Sequence, residues 1–241
     1  MLNLYVQALL CPLYYIGFFN KRTLRLRERI SEGNDIYSFI CTSEKPFSWN
    51  AGQHGVFSFP DKYVEGKTWR AFSIASSPEE GVMRIATIIK ENPSGFKKHL
   101  LALEQGESIV MRGPFGEFRT SPKMKHIIGI AGGIGITPFR AIIKSIASNT
   151  LRNTKLTLIY SALGAHTFRK EFDTALTHPN IEIIYTDTPG EVNAELKKLV
   201  TLHKNTAYYF ISGSPEMIGA LRSSLRSQGT TKIVSDSFKG Y

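Results

Sequence analysis

Two short segments, about sixty residues apart, hold the residue types best suited to chemistry. The first is Arg70-Ala71-Phe72-Ser73-Ile74-Ala75-Ser76-Ser77. It sets a fixed cation, an aromatic ring and a hydroxyl along one extended stretch, which suits a flat cofactor bearing phosphate. The second is Ile128-Gly129-Ile130-Ala131-Gly132-Gly133-Ile134-Gly135-Ile136-Thr137-Pro138. This reads as a buried strand, a glycine turn and a helix start, a ready pocket for a pyrophosphate. Gly132, Gly133 and Gly135 let the backbone turn tightly and approach phosphate oxygens. Thr137 stands where it would cap the following helix, with Pro138 in the first turn. Taken alone, each segment also reads as plain structure, a barrel strand or a strand–helix turn. Their order and spacing together point to a redox enzyme with two cofactors.

The elements around these segments fall into two halves. Before Ser121, short alternating runs such as Thr23–Arg27, Ile36–Cys41, Gly55–Phe59, Arg70–Ala75, Met83–Ile89 and Ile109–Met111 are separated by turns, as in a small antiparallel barrel. A helix carrying Phe96, Leu100, Leu101 and Leu103 interrupts them and ends at Gly106. After Ser121-Pro122-Lys123 the rhythm changes. Strands at His126–Ala131, Lys155–Tyr160, Ile181–Tyr185 and Tyr208–Ile211 alternate with helices at Phe139–Ala147, Phe168–Leu176, Asn193–Thr201 and Pro215–Ser227. That alternation predicts a parallel sheet with helices on both faces. The expected fold is therefore two-domain: a six-stranded antiparallel β-barrel with one helix over residues 20–121, and a doubly wound α/β sheet over 122–241.

Composition narrows the function. The chain has 241 residues and a net charge of +10. Lys and Arg outnumber Asp and Glu by 15 to 12 up to Ser121, and by 15 to 8 beyond it. A basic balance favours an acidic redox partner or a merely solvated surface, and no nucleic-acid signature accompanies it. Cys11 and Cys41 are the two cysteines. They supply neither an iron–sulfur ligand set nor a disulfide framework, no metal site is assigned, and a reducing, cytosol-facing compartment is expected. Residues 1–19 carry no charge and are largely apolar, then Lys21, Arg22, Arg25, Arg27 and Arg29 follow. The run is borderline for a membrane span and lacks the positive start of a signal peptide. Membrane association through residues 1–19, at the cytoplasmic face, is weighed against an extra element packed on the body.

With both segments in view, the chain resembles the ferredoxin–NADP reductase family from about Phe18 to Tyr241. Arg-Ala-Phe-Ser is similar to that family's Arg-x-Tyr-Ser flavin motif. The resemblance implies that Arg70 meets the FAD pyrophosphate, Phe72 lies against the isoalloxazine and Ser73 bonds its reactive nitrogen. Ile74 and Ile88, on the motif strand and the next, join the cofactor contacts on the same ground. The family's Gly-x-x-Ser helix start is represented by Ser94-Gly95-Phe96-Lys97, with the glycine moved by one place and lysine where serine would stand. Ser212-Gly213-Ser214-Pro215-Glu216-Met217 resembles the Cys-Gly-Pro-Pro-x-Met turn beneath the nicotinamide, serine replacing cysteine. Ser212, Gly213, Ser214 and Met217 are assigned to that turn. Asp236-Ser237-Phe238-Lys239-Gly240-Tyr241 is similar to a Glu-x-Phe-x-Gly-Tyr ending. There Phe238 would cover the flavin and Asp236 would be a nearby carboxylate. The likeness is greatest to the flavin module of bacterial membrane-associated redox proteins.

The implied reaction is hydride transfer from NADH or NADPH to bound FAD, then single-electron transfer to an external acceptor: a ferredoxin, a flavodoxin, a haem protein or a membrane quinone. Two alternatives stay open, an NAD(P)H–flavin reductase and a non-catalytic nucleotide-binding or electron-transfer subunit. Nucleotide choice leans to NADH. Ser161 is present, but Ala162 and Leu163 stand where a basic clamp for a 2′-phosphate is expected, with Arg169 and Lys170 further on. No acidic residue ends that strand for the NAD ribose either.

Overall fold

The structure is a computed structural model that describes residue 6 and residues 9–237. The assignments to Phe238 and the Phe-Lys-Gly-Tyr ending lie outside those residues. The chain divides into two compact units, one through Arg119 and one from Thr120.

In the first unit, strands β1 (Lys21–Gly33), β2 (Ile36–Ser43), β3 (His54–Ser58), β4 (Trp69–Ser73), β5 (Met83–Ile88) and β6 (Ser108–Phe115) form one antiparallel sheet, ordered β4-β3-β6-β1-β2-β5. The edge strands meet where the Ala75 N–H, just past β4, donates to the Arg84 carbonyl within β5 at 2.7 Å. Inward positions follow the period of two: Leu24 and Leu26, Phe39 and Cys41, Met83 and Ile85, Ile109 and Met111 share one core. Phe96 and Leu100 of a short helix plug the same core. Burial pushes the Cys41 thiol up to about 12, so this cysteine packs as an inert apolar group.

The end of the N-terminal segment packs on the barrel, while its earlier described residues stay exposed. A turn of helix α1 (Pro12–Tyr15) and a 3₁₀ turn at Ile16–Phe19 bring Phe18 into a small cluster with Val56 and Phe115. The Phe18 and Phe115 rings meet edge to face at 5.6 Å. Val6, Leu9, Leu10, Ile16 and Phe19 stay exposed. Among the described residues, no helix is long and apolar enough to cross a membrane.

In the second unit, β7 (His126–Gly132), β8 (Lys155–Ser161), β9 (Ile181–Thr186), β10 (Tyr208–Gly213) and β11 (Ile233–Ser237) form a parallel sheet ordered β11-β10-β7-β8-β9. Sequence periodicity shows four of these strands and misses β11. Helices α3 (Thr137–Ala147), α4 (Arg169–Ala175), α5 (Pro189–His203) and α6 (Pro215–Ser227) connect them. Ile128, Ile130 and Ile159 pack with Val192 and Leu196 of α5 and Leu221 of α6 on one face. Gly129 points to the other face, where an added Cβ would meet Phe139 of α3 at 2.5 Å. The sheet is therefore covered on both sides, as the alternation predicts.

At the start of β7, the His126 ring lies 4.4 Å from that of His203, edge to face. The Thr157 hydroxyl donates to Glu182 at 3.2 Å, so Nε2 of His126 is the donor in its 3.1 Å bond to Thr157. Burial, followed by the nearby His203 and Lys155, holds the His126 pKa down to about 4. The folded unit thus takes up this proton later than the unfolded chain does. The stabilisation is present above about pH 6.5 and is lost as pH falls toward 4. Thermal unfolding of the full chain between pH 7 and 4.5 should show the second unit losing about 1–2 kcal/mol through this group, discounted for its partial exposure. His126→Gln, which keeps a donor for Thr157, should flatten that slope; an unchanged slope removes His126 as its source.

Candidate functional site

In the first unit, strand β4 hands its cation to the N-terminus of helix α2 (Gly95–Leu101). Arg70 is 4% exposed, donates from one guanidinium nitrogen to the carbonyls of Lys67 and Trp69 at 2.9 Å each, and lies 5.7 Å from the Phe96 ring. Lys97 donates to the carbonyl of Ile88 at 2.8 Å. Desolvation, with the Arg70 charge beside it, lowers the Lys97 pKa. Two like charges held together this way favour an anion at the same place. Ser94 precedes α2 with a buried hydroxyl that has no hydrogen-bond partner. A phosphate oxygen satisfies both conditions, since it accepts from Ser94 and offsets the Arg70–Lys97 repulsion. The donor set therefore fits the pyrophosphate of FAD.

Arg70, Ile88, Ser94, Gly95 and Lys97 lie around the start of α2. Gly95 has a structural reason for its identity, because a Cβ would press on the Glu65 backbone. Phe96 faces inward, as the apolar stripe of its helix requires, whereas Phe72 is less open than a ring lying against a flavin would be. Phe72 is 5% exposed and Phe96 fully buried, their rings packed with Phe57 and Phe59 in the barrel core. Phe96 therefore presents only backbone to a ligand, and little of the Phe72 ring is open to a flavin. Ser73 follows at 3% exposure, paired with His54, and the Ile74 N–H donates to the Gln53 carbonyl at 2.8 Å.

In the second unit the chemistry sits at the C-terminal ends of the parallel strands. Strand β7 comes first in the sequence, and its neighbours β8 and β10 lie on opposite sides of it. Strand order reverses there, and such a reversal opens a crevice for a dinucleotide. The adjacent ends carry Asp236 on β11, Ser212 on β10, Ala131–Gly132 on β7, Ser161 on β8 and Thr186 on β9. The two motifs of this half are in direct contact. A Cβ on Gly132 would collide with the Met217 sulfur, and one on Gly135 with the Ser212 carbonyl. Gly133 alone takes a left-handed φ, of +52°, and faces open space. Ser214 caps α6 by accepting the Met217 N–H at 3.2 Å. Ser212 is fully buried, and its hydroxyl has no hydrogen-bond partner. The glycine turn and this donor fit a nucleotide.

One detail corrects the sequence reading. Thr137 does not cap α3; a 3₁₀ turn at Gly133–Ile136 precedes the helix, and the Thr137 hydroxyl donates back to the Ile134 carbonyl. Sequence reasoning also overlooked an aromatic group beside Ser161. Tyr160 accepts the Thr167 N–H at 3.0 Å and its phenol is pushed up to about 12 by burial. His166 stacks edge to face on both Tyr160 and Tyr185. The Tyr185 and Thr186 hydroxyls are buried without partners. Arg169 lies 4.1 Å over the Tyr185 ring and 4.0 Å from the Asp173 carboxylate. A signal for this cluster was present, namely tyrosines ending two successive strands.

Comparison with known proteins places both halves. Residues 21–120 match the family model for an oxidoreductase FAD-binding domain, and residues 130–223 that for an oxidoreductase NAD-binding domain. The chain is 36% identical over 172 residues to an NADH-cytochrome b5 reductase-like protein of Arabidopsis thaliana, covering 67% of this chain and 52% of the relative. It is 30% identical over 231 residues to NADH-cytochrome b5 reductase 1 of Aspergillus fumigatus, covering 86% of this chain and 74% of that protein. The chain thus spans about half of the first relative and three quarters of the second. In fold it is similar to the cytochrome b5 reductase domain of Ulva prolifera nitrate reductase, at TM-score 0.73 and 22% identity over 90% of this chain and 97% of that one. Ferredoxin-NADP+ reductase from Plasmodium falciparum gives TM-score 0.76 at 18% identity, over 91% and 97%.

Replacing Arg70 tests the first constellation. Arg70→Ala should leave a folded chain that binds FAD more weakly by about 1.5–3 kcal/mol, the worth of a desolvated charge-assisted contact. Fluorescence titration of flavin-stripped protein measures it. Affinity for FAD should also decline as alkaline pH removes the Lys97 proton, a dependence that Lys97→Met should abolish. Equal FAD affinity in parent and Arg70→Ala would remove Arg70 from the site.

Proposed function

Because this chain belongs to the FAD- and NAD-binding oxidoreductase family of ferredoxin–NADP reductase-like flavoenzymes, we propose that it oxidises NADH and passes the electrons, through FAD, to a separate acceptor. One observation carries the reading. Each unit holds its own phosphate-accepting constellation, Arg70–Ser94–Lys97 in the first and the Gly132–Gly135 turn against Ser212–Met217 in the second. Bound FAD supplies the chemistry that takes a hydride in one step and gives up electrons singly.

The chain's residues bind and orient. Arg70 and Lys97 hold the cofactor's phosphates, and Ser73, at the end of the motif strand, is the hydroxyl assigned to the flavin ring. Gly132, Gly133 and Gly135 give a backbone surface to the nucleotide pyrophosphate, while Ser161 meets its ribose. Ser212, Gly213, Ser214 and Met217 line the nicotinamide end, with Ser212 as donor. Asp236, beside Ser212 on the next strand, supplies a carboxylate there.

The acceptor is a separate haem protein or similar carrier with an acidic face, a choice supported by the net charge of +10 and by the relatives' printed names. We place the protein in the cytoplasm, with the exposed Leu9 and Leu10 side chains meeting a membrane surface while Phe18 stays packed on the barrel. The exposure of Leu9 at 77% and Leu10 at 76% supports that placement.

NADH is the preferred donor. A 2′-phosphate would have to draw Arg169 away from Asp173, and no other basic side chain follows Ser161 directly. Steady-state reduction of ferricyanide by the FAD-loaded chain, with NADH and NADPH at one ionic strength, tests both the activity and the preference. We expect a higher kcat/KM with NADH and little change in its ratio to NADPH on Arg169→Ala. A tenfold preference for NADPH, about 1.4 kcal/mol, lost in Arg169→Ala, would make Arg169 the phosphate reader. No turnover with either nucleotide would contradict the proposed activity.

A further inference from the structure

A recess of about 310 Å³ lies between the N-terminal turn and the loop before β3, lined in part by Tyr14, Asn20, Arg22, Asn50 and Arg119. Its charge is one-sided. Two guanidinium side chains line it and no acidic side chain does. Neither arginine is in an ion pair among the described residues. The Arg22 Nε–H is buried with no hydrogen-bond partner. Aromatic faces hold both cations in place without neutralising them: Arg22 lies 4.3 Å over the Phe47 ring and Arg119 4.9 Å over Tyr14. Stacking leaves the edge of a guanidinium, where its N–H donors are, open to a ligand.

Hydrogen bonds and a close backbone contact fix the walls of the recess. The Asn50 N–H donates to the Gln53 side chain at 2.9 Å, and the Trp49 indole to the Ser76 carbonyl at 2.9 Å. Gly17 closes the other side, where a Cβ would run into the Pro114 carbonyl. An ordinary surface arginine gains little from being held this way, while a buried donor left unmade is costly until a ligand accepts from it. We propose that this recess is a binding site for a phosphate-bearing anion, built from residues other than the Arg70–Ser94–Lys97 and Gly132–Gly135 constellations. Two guanidinium groups match a dianion better than a single carboxylate. The volume is near the lower end for small-molecule sites and exceeds what a bare phosphate fills. A pyrophosphate, a small phosphate ester or a phospholipid headgroup shares the required chemistry.

The test uses the full chain saturated with both FAD and NAD+, so that its other phosphate-accepting positions are filled. Calorimetric titration with inorganic pyrophosphate should show one further saturable site. Arg22→Gln and Arg119→Gln should each weaken it at least tenfold, and Arg119→Lys, which keeps the charge but not the fork, should fall between. Arg25→Gln, whose parent side chain pairs with Glu44 on the surface, should bind like the parent. Retained FAD absorbance shows that each variant is folded. Sedimentation with phosphatidylglycerol and with phosphatidylcholine vesicles separates the sources. Binding to the anionic vesicles alone, competed by pyrophosphate and lost in the same variants, identifies a lipid headgroup; pyrophosphate binding without vesicle binding identifies a soluble ester. Heat that sodium chloride reproduces at equal ionic strength, or that persists in Arg22→Gln/Arg119→Gln, overturns the proposal. So does the absence of binding in both arms. Neither result depends on whether NADH reduces the flavin.

Discussion

At the reversal point of the parallel sheet two backbones touch where side chains would ordinarily keep them apart. Gly132 and Gly135 on the β7 side meet Met217 and the Ser212 carbonyl on the β10 side, and no Cβ fits at either glycine. This contact joins the glycine turn to the Ser-Gly-Ser-Pro-Glu-Met turn, so the two nucleotide motifs form one rigid surface. Gly133 plays a different part. It bends the chain with a positive φ and leaves open space in front of it. Two glycines are thus fixed by packing and one by conformation, which leaves a backbone surface of the kind that suits a phosphate.

The barrel unit solves its problem with charge. Arg70 and Lys97 are brought close in a partly dry setting, and burial together with mutual repulsion weakens the hold of Lys97 on its proton. An anion reverses that balance, which is a physical reason for phosphate affinity at a helix too short to rely on its dipole. The recess near Arg22 and Arg119 uses aromatic stacking in place of backbone carbonyls to fix its cations. Arg169 shows the contrasting case. It is stacked on Tyr185 but also faces an acidic side chain, Asp173.

Much of this was legible in the residues. Alternation placed the barrel strands because Leu24, Leu26, Phe39 and Cys41 obey a period of two, and the glycine turn announced the strand–helix junction. What escaped has identifiable causes. Ile233-Val234-Ser235-Asp236-Ser237 is short and half polar, so β11 carries no periodic signal; it exists because β10 offers a parallel edge. Thr137 has the chemistry of a cap, yet the extra 3₁₀ turn moves the helix start and turns the hydroxyl back on Ile134. The Phe72 ring suits a flavin by its type, but the barrel core takes it inward against Phe57 and Phe96. The Tyr160–His166–Tyr185 group depends on register between β8 and β9, which composition does not show.

The central claim is that this chain alone moves a hydride from NADH to FAD held on the barrel. Anaerobic single-turnover mixing of the FAD-loaded chain with NADH, and with NADH carrying deuterium at the transferable position, tests it most directly. The account predicts rapid and complete loss of the flavin's long-wavelength absorbance, slowed by deuterium on one face of the nicotinamide ring. Bound FAD that keeps its absorbance under excess NADH would contradict it.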